Sequence, residues 1–484
     1  MATEEEALDR HAARVRADLD LLDYPRRPWM PPRRSRSPGD PVGASDVLDV
    51  LIIGAGQGGL AAAFGLARER VTNVLVVDEN PLDRAGPWLN FARMRTLRTP
   101  KYLTGPDLGL PSLTPRAWYE AQHGAGSWEA LGLIPKETWA AYLAWYRRTL
   151  DIPVRPDTRV GRLRWDARDG VWEAACASAT REDTLRARRV VLATGIDGSG
   201  RWDVPAMIRD GLPKRLYAHT REDIAFAALA GKRVAVLGAG ASALDNAATA
   251  LEAGAREVVL CFRRPSLVNV NAYRWAEFVG FLRHHGDLPD ADKWRFIRQI
   301  LRMGQLPPAD TLKRAQAHPG FRLHAGCSWS SVEVRGGAGG PDTDVAVIRS
   351  SSGDVHEVDF VIVGTGFVTD LGARPELAEV EPFLARWSDR FVPPPGEEHA
   401  DLLRHPYLGP GFEHTEKVPG EAPWVRTLFN YTFGGLLSLG FGGASISGMK
   451  YSIPRLVGGI TASLFVEDRA RHYASLRAFD EVEF

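Results

Sequence analysis

Cysteine is scarce in this chain of 484 residues, which contains only Cys176, Cys261 and Cys327. The three stand far apart and form neither a closely spaced pair nor a zinc-binding repeat. Their spacing therefore predicts no disulfide framework, no dithiol redox centre and no metal site. Scattered single cysteines are also typical of proteins from reducing compartments.

Long apolar runs and an excess of one charge are absent as well. The richest apolar stretch, Phe433 to Phe465, is interrupted by glycines, Lys450 and Arg455, so the sequence predicts no integral membrane segment. The first residues, MATEEEALDR, lack the apolar centre of a signal peptide. With 60 basic and 60 acidic residues the formal net charge is zero, and nothing indicates a nucleic-acid partner. We expect a cytoplasmic globular protein.

A glycine-rich turn, GAGQGG, is present between an apolar strand pattern and an Ala/Leu-rich helix pattern. Gly54 permits a tight turn, Gly56 lets the backbone approach a pyrophosphate, and Gly59 lets the helix pack closely on the strand. A second apolar run, Val74 to Val77, then ends in two acidic residues. The order of strand, glycines, helix, strand and acid predicts a dinucleotide-binding unit.

The two acidic residues are Asp78 and Glu79, and either carboxylate can accept a hydrogen bond from a ribose hydroxyl. A carboxylate at this position would repel the 2′-phosphate of NADPH. The first site is therefore predicted to hold FAD.

The same pattern returns 184 residues later as GAGASA, with Gly238, Gly240 and Ser242, and with Ala243 in place of the third glycine. Arg263 and Arg264 follow the second strand of this repeat, where the first unit has its acids. Two guanidinium groups suit a 2′-phosphate, so the second site is predicted to bind NADPH. A solvated strand end is the alternative interpretation of the arginine pair.

Two further apolar strand patterns end in a Thr-Gly pair, at Thr194-Gly195 and at Thr365-Gly366. Open α/β sheets bind ligands at the carboxyl ends of their strands, so we expect all four residues to contact cofactors. The strand Asp359 to Val363 is expected to return the chain to the first domain.

These patterns predict an α/β fold with two dinucleotide-binding, Rossmann-like domains. The NADPH domain is inserted into the FAD domain, and an N-terminal helical extension precedes both. The expected boundaries are residues 1–47 for the helix and a Pro/Arg-rich strap, 48–203 for the first part of the FAD domain, 204–340 for the NADPH domain, and 341–484 for the second part of the FAD domain with C-terminal helices. The helix and strap could cross onto a neighbouring subunit, so a homo-oligomer remains open.

Aromatic and C-terminal segments supply further candidates. Trp88 lies in a stretch without helical period, which favours a loop near the cofactor ring. Trp139, Tyr142, Leu143 and Tyr146 have helical spacing and indicate a core face instead. Lys450 precedes a predicted helix whose positive end could stabilise a reduced flavin, although a helix that only packs on the sheet is an equal alternative.

Several motifs in order resemble those of the class B flavin-dependent monooxygenases, which include flavin-containing, N-hydroxylating and Baeyer–Villiger enzymes. The matching pieces are GAGQGG at Gly54, GPW at Gly86, LATG at Leu192, AHT at Ala218, GAGASA at Gly238 and GTGF at Gly364. LRTPK at Leu97 looks like the segment beside the flavin in the plant indole-pyruvate type. The resemblance thereby makes Arg98, Thr99 and His219 the candidate catalytic residues. Leu216-Tyr217-Ala218 departs from the Phe-x-Gly that the family usually places before that histidine.

The resemblance implies that NADPH reduces FAD and that O2 adds to the flavin C4a position. The resulting hydroperoxide would pass one oxygen atom to a small nucleophilic substrate, in a pocket that excludes water. No residue matches the Baeyer–Villiger arginine, which favours N- or S-oxygenation. Baeyer–Villiger oxygenation of a ketone is one alternative. An NADPH-dependent flavoprotein reductase or oxidase without oxygen insertion, and a redox sensor without turnover, are the others.

Overall fold

The computed structural model describes residues 3–22, 27–31, 47–103, 105–340, 343–443 and 445–484. Most of the Pro/Arg-rich strap that the sequence places before residue 47 lies outside these ranges. The predicted capping box at the start of the chain is confirmed, since Thr3 and Glu6 bond each other's backbone N–H groups.

The α-helices of the described residues differ widely in length, and they follow the chain in this order: α1 Glu4–Leu21, α2 Gln57–Arg68, α3 Pro115–His123, α4 Ser127–Ala130, α5 Lys136–Thr149, α6 Ala206–Gly211, α7 Ala241–Glu252, α8 Ala272–Trp275, α9 Val279–His284, α10 Asp290–Met303, α11 Ala309–Gln316, α12 Ala400–Leu403, α13 Leu436–Leu439, α14 Met449–Glu467 and α15 Arg469–Arg477. None of these helices is both long enough and apolar enough to cross a membrane.

The β-strands are mostly short, and in chain order they are β1 Val47–Ile53, β2 Val74–Val77, β3 Val154–Arg155, β4 Arg159–Asp166, β5 Val171–Ala177, β6 Glu182–Gly195, β7 Gly200–Trp202, β8 Tyr217–His219, β9 Arg233–Leu237, β10 Glu257–Phe262, β11 Phe321–Ala325, β12 Trp329–Arg335, β13 Val345–Ser350, β14 Val355–Val358, β15 Phe360–Val363, β16 Phe367–Thr369 and β17 Leu428–Thr432.

One sheet, which we call the first unit, has the strand order β3-β2-β1-β6-β5-β4. Strand β1 is parallel to both β2 and β6, and it is buried along most of its length because helices cover the sheet. The long strand β6 pairs with β5 over its first half and with β17 over its second half. Strand β17 therefore returns the chain to the first unit after the second sheet is complete.

The other large sheet, the second unit, is entirely parallel with the order β11-β10-β9-β15-β8. An antiparallel meander, β12-β13-β14, packs against it, and the ribbon of β7 and β16 connects the two units. The second unit is thus inserted into the first, as predicted. The strand 360–363 was expected to return to the first unit, and that expectation is wrong because β15 lies between β9 and β8. We therefore propose that the second unit ends after residue 363.

The helical extension packs on the first unit of its own chain. His11 of α1 stacks on Trp145 of α5, with ring centroids 5.4 Å apart. Within α5 the predicted core face is confirmed, since Trp139, Tyr142 and Tyr146 are all buried. Helices α2 and α14 pack together over the same face of the first sheet. This packing leaves the carboxyl ends of β1 and β6 as the edge at which the site forms.

Candidate functional site: two dinucleotide-binding turns joined by one loop

The turn between β1 and α2 contains two glycines that the chain itself requires. Gly54 has φ +109°, and a Cβ there would lie 2.5 Å from the carbonyl oxygen of Ala193. A Cβ on Gly59 would lie 1.9 Å from the carbonyl oxygen of Gly54. Both contacts are with backbone, which cannot move aside, so helix α2 sits directly on the end of the strand.

Gly56 is different, because nothing in the chain excludes a side chain there. Its backbone is extended, and a Cβ would meet only Gly86 Cα, at 3.8 Å. Helix α2 starts at the next residue without a side-chain cap, so its first N–H groups point into this open space. The indole nitrogen of Trp88 is buried beside Gly86 and has no hydrogen-bond partner among the described residues. A glycine cradle at an uncapped helix N-terminus fits the pyrophosphate of FAD.

The carboxylate of Asp78 holds this turn in place. It accepts hydrogen bonds from the backbone N–H of Ala55 at 2.7 Å, from the backbone N–H of Asn80 at 2.8 Å and from the Asn80 side-chain amide at 2.9 Å. A carboxylate offers about four acceptor positions, so little of Asp78 remains for a ribose. Glu79 is exposed. The predicted ribose contact stays a prediction for both residues, with Glu79 the less committed of the two.

The carboxyl end of β6 lies beside the first turn, where Thr194 and Gly195 were predicted to contact the cofactor. Gly195 has φ +66°, and a Cβ there would meet nothing within 4 Å. A Cβ on Gly198 would lie 1.6 Å from Thr194 Oγ1 and 3.2 Å from a Thr432 methyl group. Thr432 comes from β17, which the sequence analysis missed, although the apolar run Leu428-Phe429 before Asn-Tyr-Thr is a usable strand signal.

The second turn repeats this arrangement. Gly238 has φ +115°, and a Cβ there would lie 2.3 Å from the carbonyl oxygen of Gly364. At Gly240 a Cβ would meet nothing within 4 Å, and α7 begins at the next residue without a side-chain cap. Ser242 is exposed in the first turn of α7, whereas Ala243 is fully buried. This turn therefore also fits a dinucleotide pyrophosphate.

The two arginines after β10 have different surroundings. The guanidinium of Arg264 donates to the carbonyl oxygens of Met303 and Arg302, at 3.1 and 3.2 Å, and so caps the end of α10. Arg263 is exposed on the same strand end. Both were predicted to bind the 2′-phosphate, and Arg263 now stands as the stronger candidate.

The residues that follow β15 are hydrogen-bonded to Asp203, which lies between β7 and α6. The Thr365 hydroxyl donates to the carbonyl of Asp203, and the Asp203 N–H donates to the carbonyl of Gly366 at 3.0 Å. Gly366 has φ +84°, with open space where a Cβ would be. A cofactor contact at Thr365 or Gly366 stays a prediction.

Residues 86–101, which we call the bridging loop, run from the first turn to helix α7 of the second unit. Arg98 forms an ion pair with Asp245, which also accepts a hydrogen bond from Thr311 Oγ1 at 2.8 Å. Burial raises the pKa of Asp245, and the Arg98 charge opposes that rise. Arg95 pairs with Glu252 on the same helix at 2.9 Å. One loop thus connects the first turn to the helix that follows the second turn, a contact that the sequence could not predict.

His219 lies at the crossing between the two units. Its Nδ1 accepts a hydrogen bond from the Arg221 N–H at 3.2 Å, and its ring lies 5.1 Å from that of Trp202. Trp202 in turn contacts Phe91 of the bridging loop at 6.1 Å. Burial lowers the pKa of His219, against the opposing effect of the Gly366 carbonyl. A lowered pKa favours the neutral imidazole, and a catalytic role for His219 stays a prediction.

Two remaining candidates lie at the edges of this arrangement. Thr99 is half-buried next to Arg98 in the bridging loop. Lys450 is the second residue of α14 and is exposed. A Cβ on Gly105 would lie 2.4 Å from Met449 Cβ, so the chain after the bridging loop packs against the start of α14. Direct roles for Thr99 and Lys450 stay predictions.

Comparison with known proteins agrees with this geometry. The chain is 45% identical over 467 residues to the FAD-dependent urate hydroxylase of Xanthomonas campestris pv. campestris, covering 96% of this chain and 95% of that one. It is 26% identical over 361 residues to a Baeyer-Villiger monooxygenase of Streptomyces coelicolor, covering 66% of this chain and 65% of that one. Residues 48–280 match the pyridine nucleotide-disulphide oxidoreductase family.

Among solved structures, the ornithine N-hydroxylase of Kutzneria sp. 744, with reduced FAD, NADP⁺ and L-ornithine, superposes with a TM-score of 0.65. The two share 14% identity, and the match covers 86% of this chain and 99% of that one. The chain belongs to the class B flavin-dependent monooxygenases. It is an oxidoreductase, and FAD and NADPH are its cofactors.

Proposed function

We propose that this enzyme hydroxylates urate, or a closely related planar heterocycle, with NADPH and O2. The observation that carries the proposal is the 45% identity to a urate hydroxylase, which extends over almost the whole of both chains. The electron-rich ring of urate is a nucleophile, as the expected oxygen transfer requires. The nucleophilic atom would then be a carbon rather than the nitrogen or sulfur that the sequence favoured.

The two turns account for the binding steps. FAD bound at the first turn would, once reduced by NADPH, supply the electrons that activate O2 for transfer of one of its oxygen atoms. The backbone around Gly56 and the start of α2 bind its pyrophosphate, and Asp78 fixes that turn through Ala55. The cradle at Gly240 binds NADPH in the same manner. Trp88 packs edge-on against Trp139, with ring centroids 6.4 Å apart. This apolar contact limits the access of water to the FAD cradle.

The bridging loop fixes the position of the two cofactor sites relative to each other. Its ion pairs Arg98–Asp245 and Arg95–Glu252 tie the loop after the first turn to the helix that starts at the second turn. Asp245 is 1% exposed, so the pair with Arg98 is shielded from solvent on that side. We infer that Arg98 positions α7, and with it NADPH, relative to FAD.

Oxygen consumption by the purified FAD-loaded enzyme tests the proposal. Urate should accelerate both NADPH oxidation and oxygen uptake, and labelled oxygen gas should leave one heavy oxygen atom in the product. Hydrogen peroxide should fall to a small fraction of the NADPH consumed. Peroxide in the same amount as NADPH, with or without urate, would contradict hydroxylation and favour the oxidase alternative.

A substrate panel separates the remaining alternatives. Small amines and thioethers test N- and S-oxygenation, and cyclic ketones test Baeyer–Villiger chemistry, for which the Streptomyces coelicolor relative is the motivation. Urate should exceed each of them in kcat/KM by about ten-thousandfold or more, the discrimination expected when a site hydrogen-bonds its own substrate. A ketone or amine that exceeded urate would replace the proposal.

A further inference from the structure

The fold brings together two of the three cysteines that are distant in the sequence. Cys261 lies on β10, and Cys327 lies in the connection between β11 and β12. Both are buried in the core between the second sheet and the meander. The third cysteine, Cys176, is buried in the first unit.

A histidine from a third segment completes the group. His356 of β14 places a ring nitrogen so that this atom and the sulfur atoms of Cys261 and Cys327 all lie within 4.8 Å of one another. The Nε2 atom of His356 is buried and has no hydrogen-bond partner among the described residues. A buried polar atom without a partner is costly, and a metal ion would satisfy it.

We propose that Cys261, Cys327 and His356 bind a zinc ion. Two thiolates and one imidazole are the ligand types that zinc takes in structural sites, usually in a tetrahedral arrangement of four. His324 pairs in register with Cys261 on the neighbouring strand, and its ring lies 5.2 Å from that of His356. The fourth position is left to His324 or to water.

The location gives the ion a structural purpose. It would join β10 of the parallel sheet to β14 of the meander, which otherwise meet through apolar side chains. The loop that carries Cys327 also bonds the end of β10, since the N–H of Cys327 donates to Phe262 at 2.9 Å and that of Gly326 donates to Arg264 at 2.7 Å. Zinc would therefore hold the strand end that carries Arg263, the candidate contact for the 2′-phosphate.

Metal analysis of the full-length, FAD-loaded protein tests this proposal. After reduction, incubation with zinc and dialysis, the protein should retain about one zinc ion per chain. Cobalt in place of zinc should give the thiolate-to-cobalt charge-transfer band and the visible bands of a tetrahedral site. His356→Gln, at a half-buried position, and Cys327→Ser should each lose the retained zinc, and Cys327→Ser should weaken the charge-transfer band.

Cys176→Ser is the matched control, because it removes an equally buried thiol from the other unit and should leave the zinc content unchanged. Thermal unfolding of each variant confirms that it is folded before its zinc is measured. The same zinc content in all variants, or none in the reduced native protein, would overturn the proposal. A disulfide between Cys261 and Cys327 in freshly isolated protein would overturn it as well.

The link to the coenzyme has a separate readout, and it rests on the assignment of NADPH to the second unit. Removing zinc with a chelator should raise the KM for NADPH several-fold and leave the ratio of FAD to protein unchanged. An unchanged KM in protein that has lost its zinc would overturn that link while the metal site itself stood.

Discussion

The two dinucleotide-binding turns of this protein require glycine at different places where the helix crosses the strand ends. In the first unit a Cβ on Gly59 of α2 would lie 1.9 Å from the carbonyl oxygen of Gly54, so the turn requires glycine in the helix. In the second unit the helix contributes Ala243 and the strand end contributes Gly364. A Cβ on Gly364 would lie 2.6 Å from that of Ala243, so only one methyl group fits at this crossing. The second unit therefore keeps a methyl group at the position of the third glycine, and the glycine lies on the neighbouring strand end instead.

The units differ more at the end of the second strand. The Asp78 carboxylate accepts a hydrogen bond from the Ala55 N–H and thereby stabilises the first turn. In the second unit the equivalent position carries Arg263 and Arg264, and Arg264 caps α10 instead. The charge after the strand thus serves the local fold as well as the ligand, which a motif by itself does not show.

The largest effect is expected at the glycines that cofactor binding requires and the packing of the chain does not. Gly56→Val should fold, because its extended backbone and open surroundings admit a side chain, yet it should retain no FAD. Gly240→Val should keep FAD and raise the KM for NADPH by at least about a hundredfold, the loss expected when charge-assisted phosphate contacts are removed. Absorbance gives the FAD content, and steady-state kinetics gives the KM. Full flavin in Gly56→Val would show that the first cradle is misassigned.

Acid should weaken the first unit through three buried histidines. His285, His405 and His414 bond to the segment 428–439 that contains β17. Burial lowers their pKa values to about 4, about 4 and about 3. Because each folded-state pKa lies below the ordinary 6.5, the unfolded chain takes up protons first. Stability is therefore present above pH 6.5 and lost as the pH falls toward 4.

Each of these histidines should lower the free energy of unfolding by roughly 1.4 kcal/mol for every unit by which the pH falls in that range. Urea unfolding followed by flavin fluorescence at a series of pH values measures the slope. His405→Gln should reduce it by about the share of one histidine. An equal slope in His405→Gln and in the unchanged protein would contradict burial as the cause.

The arginine pair should show the next largest effect. Arg263→Ala should weaken the binding of NADPH by roughly 1.5 to 3 kcal/mol, which corresponds to an increase of about ten- to a hundredfold in its KM. The KM for NADH should change little. Arg264→Ala should change coenzyme preference less, because its guanidinium bonds to α10. Equal losses for NADPH and NADH in Arg263→Ala would remove the 2′-phosphate assignment.

The smallest effect is expected where Gly364 packs against Ala243. Gly364→Ala should destabilise the protein by about 1 to 3 kcal/mol, since the added carbon meets Ala243. In an Ala243→Gly background the same change should cost less, with a coupling energy of about 1 kcal/mol. Chemical unfolding of the two single variants and the double variant gives the coupling. Simple additivity would mean that the two positions do not share one space.

Much of the fold was readable because its signals are local. The glycine turns, the apolar strands and the capping box each lie within a few residues, and the structure confirms them. The strand 360–363 was assigned to the wrong sheet because an apolar run does not say which neighbour it pairs with. Strand β17 was missed within a region rich in glycine and proline, although its pairing with β6 completes the first unit.

The sequence by itself determined the class of the protein, because dinucleotide binding depends on glycine and charge at fixed spacing along one strand–turn–helix. Tertiary structure alone decided which side chains meet across large separations. Arg98 reaches Asp245 from another unit, and Cys261 meets Cys327 and His356 across three segments. Such contacts arise when distant strands and helices pack, and packing depends on the whole core rather than on any short stretch of residues.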